Sequence, residues 1–149
     1  MCSSDLVAHE AWIADAAFSP DGSVVATAGA DGKVKLWSVP GGGPIGALSG
    51  HDGLVTAVRY HPDGRTIVSA GRDGTIRLWD VGSGAEVGRL TLPNADIVCL
   101  DVAPEGATVA IGERNGIVSL LDFAQLKKRA QAELAAAAGR LSPAGPPGA

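Results

Sequence analysis

The chain has 149 residues, a mass of 14.9 kDa and a formal net charge of −4. Its 46% hydrophobic and 19% charged composition describes a folded protein rather than a disordered one, and the length allows one ordinary domain. Lys and Arg are scattered under a negative balance, which gives a nucleic-acid groove little support, and no run of about 18 apolar residues exists to span a membrane.

In chain order, Met1 to Glu10 lacks the basic start and apolar run of a signal peptide. Cys2-Ser3-Ser4-Asp5-Leu6 can be encoded by TGC-TCT-TCC-GAT-CT, which looks like the end of a sequencing adapter. Residues 1–6 are therefore expected to be a non-native leader, with the natural chain joining near Val7. From His9 onward the sequence repeats itself at one constant offset: Trp37 returns as Trp79, His9 as His51, and Pro20 as Pro62. Each unit reads as short strands. In the first these are Ile13 to Phe18, Val24 to Ala28, Lys33 to Trp37 and Ile45 to Leu48. The second has Leu54 to Tyr60, a turn at Pro62-Asp63-Gly64, a β-branched strand Thr66 to Ala70, a hairpin at Asp73-Gly74, then Thr75 to Trp79 and Ala85 to Thr91. Twenty-one Gly and nine Pro suit such a succession of tight turns.

In the third unit the strands Ile97 to Val102, Thr108 to Ile111 and Ile117 to Leu121 keep the register, and then the pattern stops. Where a fourth strand belongs, Lys127-Lys128-Arg129-Ala130-Gln131-Ala132-Glu133-Leu134-Ala135 are strong helix formers. They predict a short helix within 123–139, from about Ala124 to Ala138 and stopped by Gly139. The Pro/Gly/Ala tail, 140–149, is expected to be disordered. Lys127-Lys128-Arg129 fits a solvated helix face better than a nuclear signal.

Gly50-His51, Pro62-Asp63-Gly64, Asp73-Gly74 and Trp79-Asp80 resemble the WD40 repeat of β-propellers. The resemblance covers about Val7 to Asp122, with repeats at about 9–50, 51–92 and 93–122. It implies an all-β fold: a partial propeller of three blades, the last lacking its outer strand d, followed by the helix and tail. It also implies a polar tetrad in each full blade: His9, Thr27, Asp31 and Trp37 in the first, His51, Ser69, Asp73 and Trp79 in the second. The third unit has Pro93, Ile111, Asn115 and Leu121 at these positions and loses the set. Ser, His and Asp together could suggest a hydrolase. However, Ser69 lies mid-strand rather than on a strained Gly-x-Ser-x-Gly elbow, and the group recurs with a tryptophan in a second blade. A structural hydrogen-bond chain is the expectation, and no catalytic residue is assigned.

His61 is expected to be an exposed turn residue, Asp80 and Asp122 to shape the turns after the third strands, and Cys99 to be a buried free thiol. No phosphate loop, metal cluster or catalytic carboxylate pair is visible, so neither metal nor cofactor is expected. Three units cannot close a ring of about 4–8 blades. The chain is accordingly read as the C-terminal fragment of a larger propeller, whose missing upstream blades would be its first partners. The family further implies a non-enzymatic scaffold that binds protein or peptide partners on one rim; the two cysteines, Cys2 and Cys99, without metal-ligand spacing, fit a reducing cytoplasm, with a nuclear location also open. At that rim Trp12, Arg72 and Arg114 are the candidate contacts, beside Leu54, Asp96 and Ala30. The other reading makes the chain the C-terminal sensor of a multidomain signalling protein, a nucleotide-switch ATPase or a kinase, whose chemistry lies upstream.

Overall fold

Short strands separated by tight turns pair most readily with their sequence neighbours, and the chain folds as successive antiparallel hairpins. The computed structural model describes residues 9–141. Strands β1 (Ile13–Phe18), β2 (Val24–Gly29), β3 (Lys33–Ser38) and β4 (Pro44–Ser49) form the first sheet, in that order. The second follows the same order with β5 (Val55–Tyr60), β6 (Thr66–Gly71), β7 (Thr75–Asp80) and β8 (Ala85–Thr91). The third has three strands, β9 (Ile97–Val102), β10 (Thr108–Glu113) and β11 (Val118–Asp122), and ends in helix α1 (Phe123–Leu141). The three-bladed all-β architecture expected from the repeat is thus present, with the fourth strand of the last blade replaced by helix. Gly74 sits at φ 77°, and a Cβ there would stand 2.9 Å from the Leu92 carbonyl, so the Asp73-Gly74 turn needs glycine for both conformation and room.

The blades stack face to face. One interface joins Ala26, Ala28, Val34 and Leu36 of the first blade to Val55, Val58, Tyr60 and Ile67 of the second. The next joins Ala57, Val68, Ala70, Ile76 and Leu78 of the second blade to Ile97, Leu100, Val109 and Ile111 of the third. The middle blade is therefore covered on both sides, which explains why every residue of β6 is buried and why Thr66 to Gly71 shows no polar alternation. A bulge recurs near the start of the innermost strand, between Ile13 and Asp15 and again between Val55 and Ala57. Arg59 stitches the blades along that strand: its Nη1 donates to Asp15 at 2.6 Å, and its Nε lies 3.4 Å from Asp101.

Helix α1 turns back onto the second blade. Phe123, Leu126 and Ala130 are buried and join the apolar cluster formed with Ile76, Leu78 and Leu90. Gly88 makes the close approach: a Cβ on it would lie 2.9 Å from the Ala130 methyl. The backbone N–H of Thr91 donates to Glu133 at 2.9 Å. Lys127, Lys128 and Arg129 are exposed. The helix is longer than expected, since Gly139 does not stop it and Arg140 and Leu141, assigned to the tail, are helical. A glycine ends a helix by taking a left-handed conformation; inside one it costs only about 1 kcal/mol relative to alanine. Residues 1–6 and 142–149, expected to be a leader and a disordered tail, lie outside the described residues.

Three single-residue expectations fail. Cys99 is exposed, because among the described residues nothing stacks on the outer face of the third blade as that blade stacks on Ala57. His61 is half-buried: its ring stacks on Phe123 at 4.1 Å between centroids, and Nε2 donates to the Gly106 carbonyl at 3.0 Å. Asp122 shapes no strand-to-strand turn; it caps α1, accepting the Gln125 N–H at 3.0 Å.

Candidate functional site

Two regions concentrate polar side chains in repeat register: the interior of the first two blades, and the rim where the turns between the second and third strands lie.

Inside the second blade, Trp79 Nε1 donates to Ser69 Oγ at 2.8 Å, and Ser69 Oγ lies 2.7 Å from His51 Nε2. His51 Nδ1 lies 3.1 Å from Asp73, which also accepts the backbone N–H groups of Asp52 and Thr75 and the Thr75 hydroxyl. One proton arrangement satisfies every member. The indole N–H donates to the hydroxyl, the hydroxyl donates to Nε2, and Nδ1–H donates to the carboxylate. The first blade repeats this from Trp37 through Thr27 and His9 to Asp31, at 3.1, 2.7 and 2.9 Å. Burial alone would raise the Asp73 carboxyl, but the hydrogen bonds from His51, the Asp52 N–H and the Thr75 hydroxyl outweigh it and hold the group well below the ordinary carboxylate range. Asp31 is lowered in the same way, burial being outweighed by His9 and the Lys33 N–H. Gly71 leaves the ring its space, since a Cβ there would lie 3.0 Å from His51 Nδ1.

All eight tetrad residues thus lie in two hydrogen-bonded chains. Beyond the tetrad, and missed from sequence, Arg77 extends the second chain: its Nε donates to Thr75 at 3.2 Å and Nη1 to Glu86 at 3.2 Å. In the third blade Ile111 and Leu121 occupy the corresponding positions and join the apolar interface. Ser69 is fully buried beneath Trp79, so a substrate carbonyl has no approach to its oxygen.

At the rim, the three units share one backbone device. The N–H groups of Ala30, Arg72 and Arg114 donate to the carbonyls of Trp12, Leu54 and Asp96 at 2.9, 3.0 and 2.9 Å. The six positions read from sequence are therefore brought together in pairs. Trp12 is largely exposed. Asp96 links the two arginines, a relation the sequence did not reveal: Arg114 Nε donates to it at 2.8 Å, and Arg72 Nε approaches its other oxygen at 3.4 Å. The hydrogen bond from Arg114 is the main reason the Asp96 carboxyl is lowered; burial opposes it, and the charges of Arg114 and Arg72 add to the lowering. The recurrence of arginine at positions 72 and 114, one repeat apart, was the available signal.

On the opposite rim a cleft of about 340 Å³ lies between Pro20 and Pro62, lined by Asp21, Tyr60 and Asp63. Both carboxylates serve their own turns: Asp21 accepts from Ser19 and Ser23 and is lowered to about 2 by the Ser23 N–H and the two hydroxyls, while Asp63 accepts from Arg65 and Thr66. Among the described residues no cluster of three or more His, Cys, Asp or Glu side chains could hold a metal ion, and no helix is long and apolar enough to cross a membrane.

The model of the WD domain, G-beta repeat family, WD40, matches residues 1–38 and 42–80, just over half of the chain. The chain is a WD40-repeat protein. Both matched segments end at the close of a third strand, β3 and β7, so each takes in one complete Trp-to-Asp chain as far as its tryptophan. The third WD40 unit, where the tetrad is replaced by apolar residues, lies outside the match. Comparison with curated proteins found no match.

Proposed function

We propose that this WD40 protein is a non-enzymatic scaffold that binds a protein or peptide partner on the rim carrying Trp12, Arg72 and Arg114. WD40 repeats generally mediate protein–protein interaction. The observation that carries the choice of surface is the sharing of Asp96 by Arg72 and Arg114. One carboxylate orients two guanidinium groups that remain half-exposed or more, so their outward N–H donors are held ready without being used up. Trp12 offers apolar area at the repeat-equivalent rim position, and Trp and Arg are the side chains in which binding energy concentrates. The tetrads serve as internal bracing that fixes the turns carrying these residues: Asp73 ties Asp52, Thr75 and His51 together directly beside Arg72.

The test is a peptide-display selection on the immobilised chain, followed by calorimetric titration of the selected peptide. The double variant Arg72→Glu with Arg114→Glu should weaken binding by more than about tenfold while the circular dichroism stays that of the parent chain. An unchanged affinity would remove this rim from consideration.

A further inference from the structure

The cleft of about 340 Å³ between Pro20 and Pro62 lies where the first blade meets the second, on the rim opposite Trp12, Arg72 and Arg114. The repeat supplies a counterpart at the next junction, between the second blade and the third, and there the chain fills the space itself. His61 stands where the cleft has Ser19, and Phe123 where it has Val81. The His61 ring stacks on Phe123 at 4.1 Å and donates from Nε2 to the Gly106 carbonyl at 3.0 Å. Its Nδ1 accepts the Asp63 N–H at 3.1 Å, beside that residue's carboxylate. A flat N–H donor set against an apolar side chain, a glycine carbonyl and a carboxylate thus closes the second junction. At the first, the short Ser19 side chain turns back onto Asp21 at 2.7 Å, which leaves the cleft.

The lining of the cleft holds unused hydrogen-bonding capacity of one kind. Tyr60, whose counterpart is Val102, is 8% exposed, and its hydroxyl is buried with no hydrogen-bond partner among the described residues. A buried polar atom left this way is destabilising. Burial and then the charge of Asp21 raise this hydroxyl above its ordinary value, so it stays protonated and lies within the field of that carboxylate. Asp21 accepts the Ser23 N–H and the Ser19 and Ser23 hydroxyls all on Oδ1; among the described residues Oδ2 accepts none. Asp63 adds a second negative charge, and no Lys or Arg lines the cleft.

We propose that this cleft binds an arginine side chain of a protein partner, its guanidinium taking the place that the His61 ring takes one repeat on. The guanidinium is planar, permanently charged and carries N–H donors only. The acceptors for it are Asp21 Oδ2, the Tyr60 hydroxyl oxygen and the Gly64 carbonyl, the counterpart of Gly106. Pro20, Pro62 and Val81 give its alkyl stem an apolar wall. Lysine brings the charge without the flat face. The volume is at the lower end of the range of about 300–1,000 Å³ for small-ligand sites, so one side chain enters and the rest of the partner stays outside. The site is independent of the rim proposed above, and either can fail without the other.

The test is a titration of N-acetyl-arginine-N-methylamide into the isotopically labelled full chain, followed by amide NMR. Saturable shifts should be confined to the two turns that flank the cleft, Ser19 to Val24 and Tyr60 to Gly64. The neutral citrulline analogue should bind more than about tenfold more weakly, and the lysine analogue about threefold or more. Tyr60→Phe removes only the hydroxyl; it should weaken arginine binding by about threefold or more and yet raise the urea midpoint, opposite signs that a purely structural role does not give. Asp21→Asn keeps an oxygen for the two serines and replaces the outward one with an amide, so binding should fall with the turn intact. Ser19→His combined with Val81→Phe copies the second junction and should abolish binding. Absence of saturable shifts at tens of millimolar, shifts centred elsewhere, citrulline or lysine binding as well as arginine, or an unchanged affinity in Tyr60→Phe would each overturn the proposal.

Discussion

Replacing His51 by alanine removes the acceptor of the Ser69 hydroxyl and one donor to Asp73. The two losses differ in weight. Asp73 keeps the N–H groups of Asp52 and Thr75 and the Thr75 hydroxyl, so its carboxylate stays hydrogen-bonded. Ser69 is fully buried and still receives the Trp79 N–H, but its own proton is left facing the vacated space. An orphaned buried donor costs about 1–3 kcal/mol. The tilted His51–Trp79 contact, 6.5 Å between centroids, adds about 0.5–1 kcal/mol. The expected loss is therefore about 1.5–4 kcal/mol, a large share of a typical stability of about 5–15 kcal/mol. Urea unfolding followed by tryptophan fluorescence measures it directly. Ser69→Ala orphans both the Trp79 N–H and His51 Nε2, so the double variant should cost less than the sum of the singles by about 1 kcal/mol or more. A His51→Ala loss below about 0.5 kcal/mol, or strictly additive singles, would show that the chain of hydrogen bonds does not act as a unit. A fully folded His51→Ala that had lost partner binding would instead point to a direct role in recognition.

Asp73 also predicts an acid dependence. Its folded-state pKa lies below the ordinary 3.8, so the folded state holds fewer protons and the stability Asp73 contributes is complete above that value and lost as pH falls through it toward the folded pKa. Asp73→Asn should be less stable than the parent at neutral pH and should show a shallower decline in the acid window; an identical decline would refute the assignment. Gly88→Val adds a side chain where a Cβ already comes within 2.9 Å of the Ala130 methyl. It should cost about 1–3 kcal/mol and lift α1 from the second blade, seen as faster amide exchange from Phe123 to Glu133; protected amides there would show that the helix is held by something other than this contact.

The strands were legible because their signals are local. Asp73-Gly74, Pro62-Asp63-Gly64 and the alternation around them fix each hairpin without reference to anything distant, and strands β1, β8 and β9 lie where Ile13 to Phe18, Ala85 to Thr91 and Ile97 to Val102 suggested. The tetrad positions were legible for a different reason, since a spacing that recurs from one repeat to the next marks a shared geometry. What escaped were relations between blades that the repeat does not preserve. Arg59 binds Asp15 and Asp101, yet Asp15 corresponds to Ala57 in the second unit and Cys99 in the third, so no recurring pair advertises the contact. His61 read as exposed because the ring that covers it belongs to Phe123, far along the chain and outside the repeat. Cys99 read as buried because its own strand is apolar, whereas burial also requires another blade in front of it.

Asp80 and Asp122 show where the third blade parts from the other two. Both end a third strand and both offer a carboxylate to a backbone N–H shortly beyond it: Asp80 accepts the Ser83 N–H at 3.0 Å and Asp122 the Gln125 N–H at 3.0 Å. After Asp80 the chain reads Val81-Gly82-Ser83-Gly84, and Gly84, at φ 72°, turns it back as a strand. After Asp122 the residues are Phe, Ala, Gln and Leu, which carry no positive-φ residue and favour helix, so the same capping interaction starts α1. The consequence is structural as well as local. A fourth strand would have paired with β11 and widened the third blade to match the second; the helix leaves β11 at the edge and supplies Phe123, Leu126 and Ala130 to the outer part of the second blade. The substitution of helix for strand thus completes the inner interface while leaving Val118 and Leu120 on the side that a further blade would cover.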